Sequence, residues 1–218
     1  MQQLTPRLGW AGLGLACLAL TACENAASER SFDRFDTYSE VLSTAATRDV
    51  ADLSGLSGTA TYEGIAVARF PAEVDPPPTD PSDPDSAPDA RTFIADADVA
   101  LVADFTGGTL SGEMTGWTPE DAGNFSMRGL VRVSDGRILP DGTFDALVTG
   151  SVERRMTARR IQELADSDEE FDLPQNFLIG IVAEATGIFH DSVDGQSASH
   201  IVGSVEGSNM SGSFVARR

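Results

Sequence analysis

Few side chains in this sequence have the type and spacing to do chemistry. The two histidines, His190 and His200, fall on facing outward positions of consecutive stretches of alternating residues, with Asp191 and Asp194 between them. A two-histidine metal contact is conceivable, but zinc takes three or four well-set ligands, and the expectation is that no metal is bound. Serine and aspartate are plentiful, yet no G-x-S-x-G elbow, phosphate-cradling glycine loop or H-E-x-x-H helix is present. No catalytic residue and no cofactor is therefore expected. Arg154, Arg155, Arg159 and Arg160 form the densest basic run. They would suit an anionic partner or lipid head groups. The preferred reading is that neighbouring acids, Asp166, Asp168, Glu169 and Glu170 among them, pair with them across the surface.

Cys23 is the residue with the best-defined chemistry. Met1 to Ala22 carries one charge, Arg7, followed by an apolar run from Leu8 to Ala22. The run is too short to span a bilayer as a helix and has the shape of a secretory signal. It ends Leu20-Thr21-Ala22-Cys23, which resembles the bacterial lipobox, where small residues precede a cysteine that is acylated and becomes the mature N-terminus. Residues 1–22 are accordingly read as a lipoprotein signal peptide and Cys23 as the lipidation site. Cleavage there also removes Cys17, which leaves no disulfide to stabilise the fold. Several acyl chains on one residue exceed the requirement for stable anchoring, so a membrane is an expected partner. Glu24 is not the aspartate that the lipobox pattern associates with inner-membrane retention. The expected location is the outer membrane, lipid-anchored, on its surface or periplasmic face.

The elements must come from the remaining residues. With 34 acidic and 15 basic side chains, all of the latter arginine, the 218-residue chain has a formal charge of −19. That balance excludes nucleic acid as a partner, because polyphosphate is repelled. The length suits one domain with a tether. Residues 23–56 read as a lipidated tether and short helix: Phe32, Phe35, Tyr38, Val41, Leu42 and Ala45 make one stripe, with Ser31 as N-cap and Asp33 in the first turn. The helix is expected to pack on the main domain rather than to stand out as a presenting arm.

From residue 57 to 218 the period changes to two. Ala60, Tyr62, Gly64, Ala66 and Ala68 share a face, as do Ala97, Val99, Leu101, Ala103 and Phe105. Leu110, Gly112, Met114 and Gly116 continue the pattern, followed by Phe125, Met127, Gly129, Val131 and Val133, and by Phe144, Ala146, Val148 and Gly150. After an interruption come Ile181 to Phe189, Ile201 to Val205 and Met210 to Ala216. One apolar face at a period of two is a half-buried antiparallel strand. Eight in succession predict an all-β, eight-stranded antiparallel up-and-down β-barrel behind a short N-terminal helix. Since the opposite face is Thr, Ser, Asp, Glu and Arg, the apolar face must be the barrel's interior and not a lipid-facing wall. Inward glycines let the wall bend.

Two insertions interrupt the strands. Pro71 to Arg91 holds seven of the eleven prolines with Asp75, Asp80, Asp83, Asp85 and Asp89. Without the glycine turn and closing glutamate of an EF-hand it reads as an extended, hydrated loop rather than a calcium site. The second, Glu153 to about Gly180, opens with the arginines, continues as a short helix through Ile161, Leu164 and Ala165, and carries Phe171, Leu173, Phe177 and Leu178 to seal one mouth.

Gly58-Thr59-Ala60-Thr61-Tyr62-Glu63-Gly64 resembles the "SGTATYxG" opening of barrel domains in transferrin-binding protein B-like lipoproteins. Ala103-Asp104-Phe105 with Thr109-Leu110-Ser111-Gly112, and the ending Gly187-Ile188-Phe189, Ala198, Ile201-Val202-Gly203, Gly212-Ser213-Phe214, are similar to later hairpins of that family. The resemblance implies a single such barrel on a lipoprotein anchor. It does not extend to transferrin, since the chain has room for one barrel and lacks the family's second lobe and handle domains. The leading expectation is a non-catalytic, outer-membrane-anchored module that binds a protein or other partner through its loops. The alternative is a lipocalin-like carrier of a small apolar ligand inside the barrel, suggested by the small inward residues. A structural envelope protein, whose barrel spaces other components, is a third reading.

Overall fold

A computed structural model of the protein describes residues 34, 38–43, 48–71, 92–166, 176–191 and 197–218. Eight strands, β1 (Thr59–Pro71), β2 (Thr92–Asp104), β3 (Thr109–Pro119), β4 (Phe125–Ile138), β5 (Thr143–Met156), β6 (Asn176–His190), β7 (His200–Gly207) and β8 (Ser211–Arg217), pair in chain order. Every pairing is antiparallel, and β8 returns to β1 to close the barrel. Closure leaves no sheet edge along the paired wall. It also places each apolar face inside. Tyr62, Phe70, Leu101, Leu110, Met114, Val131, Ile181, Phe189, Ile201 and Phe214 are fully buried.

Rings fill the middle of the barrel. Phe189 meets Tyr62, Phe105 and Phe144 edge-on at 5.6–5.8 Å between centroids, and Phe144 lies 6.2 Å from Phe214. Two glycines make room for them. A Cβ at Gly187 would stand 2.5 Å from the Phe144 ring, and one at Gly203 would stand 2.4 Å from the Phe214 ring. Glycine here is a space requirement of the aromatic core, beyond any need of the wall to bend.

Simple alternation fails at two places: in β4, where the β4–β5 register shifts between Ser134 and Arg137 and Asp135 takes φ +53°, and at the β2–β3 pair. The β2–β3 register shifts between Asp96 and Asp98, and Gly116 takes φ +64°. A bulge inserts one extra residue and reverses the parity beyond it. Gly116 therefore turns outward, against the sequence expectation, and Trp117 turns in to 4 % exposure. The left-handed φ favours glycine there, and a Cβ would also displace Asp98 Oδ2, which stands 2.6 Å away.

The N-terminal residues pack on the outer wall as expected. Residues 38–43 are helical (α1), with Tyr38 buried and its hydroxyl sharing a 2.5 Å hydrogen bond with Ser213 Oγ on β8. Arg34 reaches β2, its Nε 2.8 Å from Asp96 Oδ2 and an Nη 2.7 Å from Asp98 Oδ1. The segment thus passes over β1, where Tyr38 and Val41 lie beside the outward apolar Ile65 and Val215. The expected stripe and cap residues Ser31, Phe32, Asp33, Phe35 and Ala45 lie outside the described residues, as do Cys23 and the signal segment.

Around the rest of the wall charged residues face outward, including Glu113 beside Arg132, Arg137 bonded to Asp145, and Glu184 beside Glu206. A wall so charged suits water, since midplane charges on a lipid face are costly. Among the described residues no helix is long and apolar enough to cross a membrane.

Candidate functional site

The barrel has two unlike mouths. At one, the turns 105–108 and 139–142 and the β6–β7 connection meet residues 48–58, which run across the opening. Ala51 N–H donates to Phe189 O at 2.9 Å, Asp191 N–H to Asp49 O at 3.2 Å, and Phe105 N–H to Gly58 O at 2.9 Å. Ala51 and Leu53 are buried in the core and Leu56 packs against it. Residues 48–56, expected as part of a tether, are therefore the plug of this mouth.

The histidine pair belongs to the same seal. His190 and His200 face each other in register, as expected. One nitrogen of each ring, Nδ1, is taken up by the chain. His190 Nδ1 is 3.3 Å from Arg48 O, while His200 Nδ1 shares a 2.6 Å hydrogen bond with Ser199 Oγ and lies 3.4 Å from an Arg48 Nη. Burial, then Arg48, Arg217 and His190, push the His200 imidazole below its ordinary range. Asp191 Oδ1 accepts from Ala198 N–H at 2.8 Å. Asp194 lies outside the described residues, among which no group of three or more potential metal ligands gathers. Tyr62 completes the seal by donating to Ala198 O at 2.5 Å, and burial raises its phenol far above the usual range.

The opposite mouth carries the two longest connections, residues 72–91 after β1 and 157–175 between β5 and β6, together with the turn 120–124. Here the strands run further than their alternation suggests. β5 extends to Met156, so Arg154 and Arg155 are strand residues, not part of a loop. Arg155 points out and donates to Glu153 at 2.7 Å, and Arg128 donates to the same carboxylate at 2.8 Å. Those two hydrogen bonds hold the Glu153 carboxyl below its usual range. Helix α2 (Ala158–Ala165), N-capped by Thr157, sets Arg159 and Arg160 3.8 and 3.4 Å from Glu163. Surface pairing thus accounts for Arg155, Arg159 and Arg160. The partners are Glu153 and Glu163, while Asp166 accepts from Gln162 instead. The expected partners Asp168, Glu169 and Glu170 are outside the described residues.

Arg154 is different. It projects inward at the mouth, its guanidinium carbon 3.4 Å above the Phe125 ring centroid and 4.6 Å from that of Phe93. Phe93 stacks on Phe70 at 5.2 Å, and Phe70 meets Trp117 edge-on at 5.3 Å. The result is one continuous cluster, Trp117–Phe70–Phe93–Arg154–Phe125. Within it Arg154 Nε and Trp117 Nε1 are buried without a hydrogen-bond partner among the described residues. Such an orphaned donor costs about 1–3 kcal/mol. Asp96 Oδ2, on the outer wall, likewise lacks a hydrogen bond but has Arg34 as ion partner. Burial lowers the Arg154 guanidinium from its ordinary range, opposed by the charge of Asp121. Phe177 packs against this end of the core, as expected for a sealing residue. Leu178 does not: it faces outward on β6 and is 68 % exposed. Phe171 and Leu173 lie outside the described residues.

Sequence reasoning grouped Arg154 with its neighbours and missed Trp117. The available signal was the alternation Val152, Arg154, Met156 continuing β5, which a charged member disguises.

Fold and site together define a closed eight-stranded antiparallel barrel with one mouth plugged by its own chain and one ringed by insertions. No protein-family model, curated protein or solved structure matches the chain.

Proposed function

We propose that this protein is a non-catalytic lipoprotein of the outer membrane, anchored through an acylated Cys23, whose barrel is a binding module that takes a protein or other partner at the loop-bearing mouth. The observation that carries this reading is the contrast between the mouths. A plug hydrogen-bonded to the turns leaves one end little to offer, whereas the other gathers the insertions, half-buried rings and donors without acceptors. Loops on a rigid scaffold are where binding surfaces are usually built. Short motifs similar to transferrin-binding protein B-like barrels support the same reading, without transferrin as the partner. The chain from Cys23 to Arg34 spans at most about 40 Å when fully extended, which would keep the barrel beside the membrane. A formal charge of −19 argues against nucleic acid.

A lipocalin-like carrier of a small apolar ligand is the second reading, favoured by the inward alanines Ala60, Ala66, Ala68, Ala97 and Ala103. The rings on Phe189 occupy the space that such a ligand would need.

Fractionation and protease shaving test the leading reading. The wild-type protein should sediment with outer membranes and Cys23→Ser should not. A broad-specificity protease added to intact cells should cut within 72–91 if the mouth faces outward, and only after the outer membrane is broken if it faces the periplasm. A Cys23→Ser form that fractionates like wild type would sink the anchoring. An apolar ligand retained in native mass spectra would favour the carrier.

A further inference from the structure

The two orphaned donors at the loop-bearing mouth are the part of the fold that packing leaves unexplained. Of the arginines at this end, Arg128 and Arg155 share Glu153, and Arg159 and Arg160 share Glu163. Arg154 makes no ion pair among the described residues, although it is half-buried and flanked by two rings. Trp117, with 4 % of its surface exposed, holds an indole N–H without an acceptor in the same cluster.

We propose that Phe93, Trp117, Phe125 and Arg154 form a subsite for a monoanionic carboxylate carried on an apolar or aromatic body. The guanidinium fork matches a carboxylate's two oxygens in its own plane. Contact with the Phe93 and Phe125 rings holds that fork in place beforehand, so little side-chain freedom is lost on binding. The same rings give the ligand's body a flat apolar wall, and Phe93 and Phe125 are both only half-buried. Charge selects the monoanion: one unpaired cation faces the ligand, Asp121 stands close enough to act on it, and the whole chain is strongly negative. A dianion such as a phosphate monoester would bring a second negative charge with nothing to meet it. The shared chemistry has two sources, a free carboxylic acid or the carboxyl terminus of a polypeptide that ends in an apolar residue. This inference rests on the loop-bearing mouth being the binding face.

Trp117 supplies its own reporter. The only other tryptophan, Trp10, lies in the segment read as the signal peptide, so in the mature protein the indole emission comes from the cluster alone. Titration with octanoate and with N-acetylphenylalanine should give a saturable change in emission with at least one of them. Octanol and octyl phosphate should bind at least tenfold more weakly. Arg154→Gln should weaken the carboxylate at least tenfold, and Arg154→Lys should fall between. A stronger response to octanoate assigns the site to free acids, and a stronger one to N-acetylphenylalanine assigns it to chain termini. The proposal is overturned if neither carboxylate gives a saturable change, or if octanol binds as well as octanoate. That second contrast is made with Arg154 intact, so it holds even if the variants fold poorly. A partner cross-linked at this mouth together with silence towards carboxylates would remove the subsite and leave the binding face standing.

Discussion

The two ends of this barrel solve the same problem, how to close an apolar core against water, in opposite ways. At the plugged end the polar groups find partners within the chain: the Tyr62 hydroxyl on Ala198 O, Ala51 N–H on Phe189 O, and both histidines on Arg48 or Ser199. At the loop-bearing end closure is by rings and a guanidinium, and the donors Arg154 Nε and Trp117 Nε1 stay unmatched. A satisfied network rigidifies, whereas an unsatisfied one is a standing cost that an incoming acceptor removes. The first end is closed by partners of its own, whereas the second is left, among the described residues, with the unmatched donors on which the proposed binding face rests.

The contrast can be broken by mutations placed on either side of it. Phe189→Ala, at the centre of three edge-on ring contacts, should cost about 3–5 kcal/mol in denaturant unfolding, the range for emptying a core aromatic site. A variant within about 1 kcal/mol of wild type would mean the rings do not hold the plugged half. Arg34→Ala should cost about 1–2 kcal/mol at neutral pH by leaving Asp96 half-buried beside Asp98. Asp96 already sits above its ordinary value of 3.8 through burial, with Arg34 opposing the shift. Folding thus favours its protonated form, and the variant's deficit should shrink as pH falls towards 3.8. A deficit that does not change with pH would separate Arg34 from Asp96.

Arg154→Met sharpens the comparison from the other side. Losing two cation–π contacts is offset by removing a desolvated charge and an orphaned donor, so stability should stay within about 1 kcal/mol of wild type. Binding at the mouth should be lost, as read by the Trp117 titration. A collapse of stability with binding retained would make Arg154 a structural plug. The smallest effect belongs to the histidines. His200 is depressed below its ordinary 6.5, so the unfolded chain takes up its proton first, and stability falls as pH drops below about 6.5. His200→Gln should flatten that part of the stability profile, and an unchanged profile would contradict the assignment.

Much of this was legible in the residues. The period of two from Ala60 to Ala216 gave strand number, inward face and closure, because a half-buried strand must alternate. The same rule misplaced Gly116 and missed Trp117, since a bulge reverses parity and its only local mark is a glycine. Residues 48–56 were read as tether because Ala51, Leu53 and Leu56 are too few to set a period, and their burial is decided by the turns they meet. Arg154 was legible as a basic residue and not as an inward one, because its environment is assembled from β2, β4 and β5.

Cross-linking from the two mouths in living cells tests the central claim most directly. A photoreactive residue placed at Glu120 or Asp166, on the loop-bearing side, should give discrete adducts with a partner. The same residue at Gly107 or Asp141, on the plugged side, should give none. Adducts of equal yield from both ends, or from Gly107 and Asp141 alone, would contradict the assignment of the binding face.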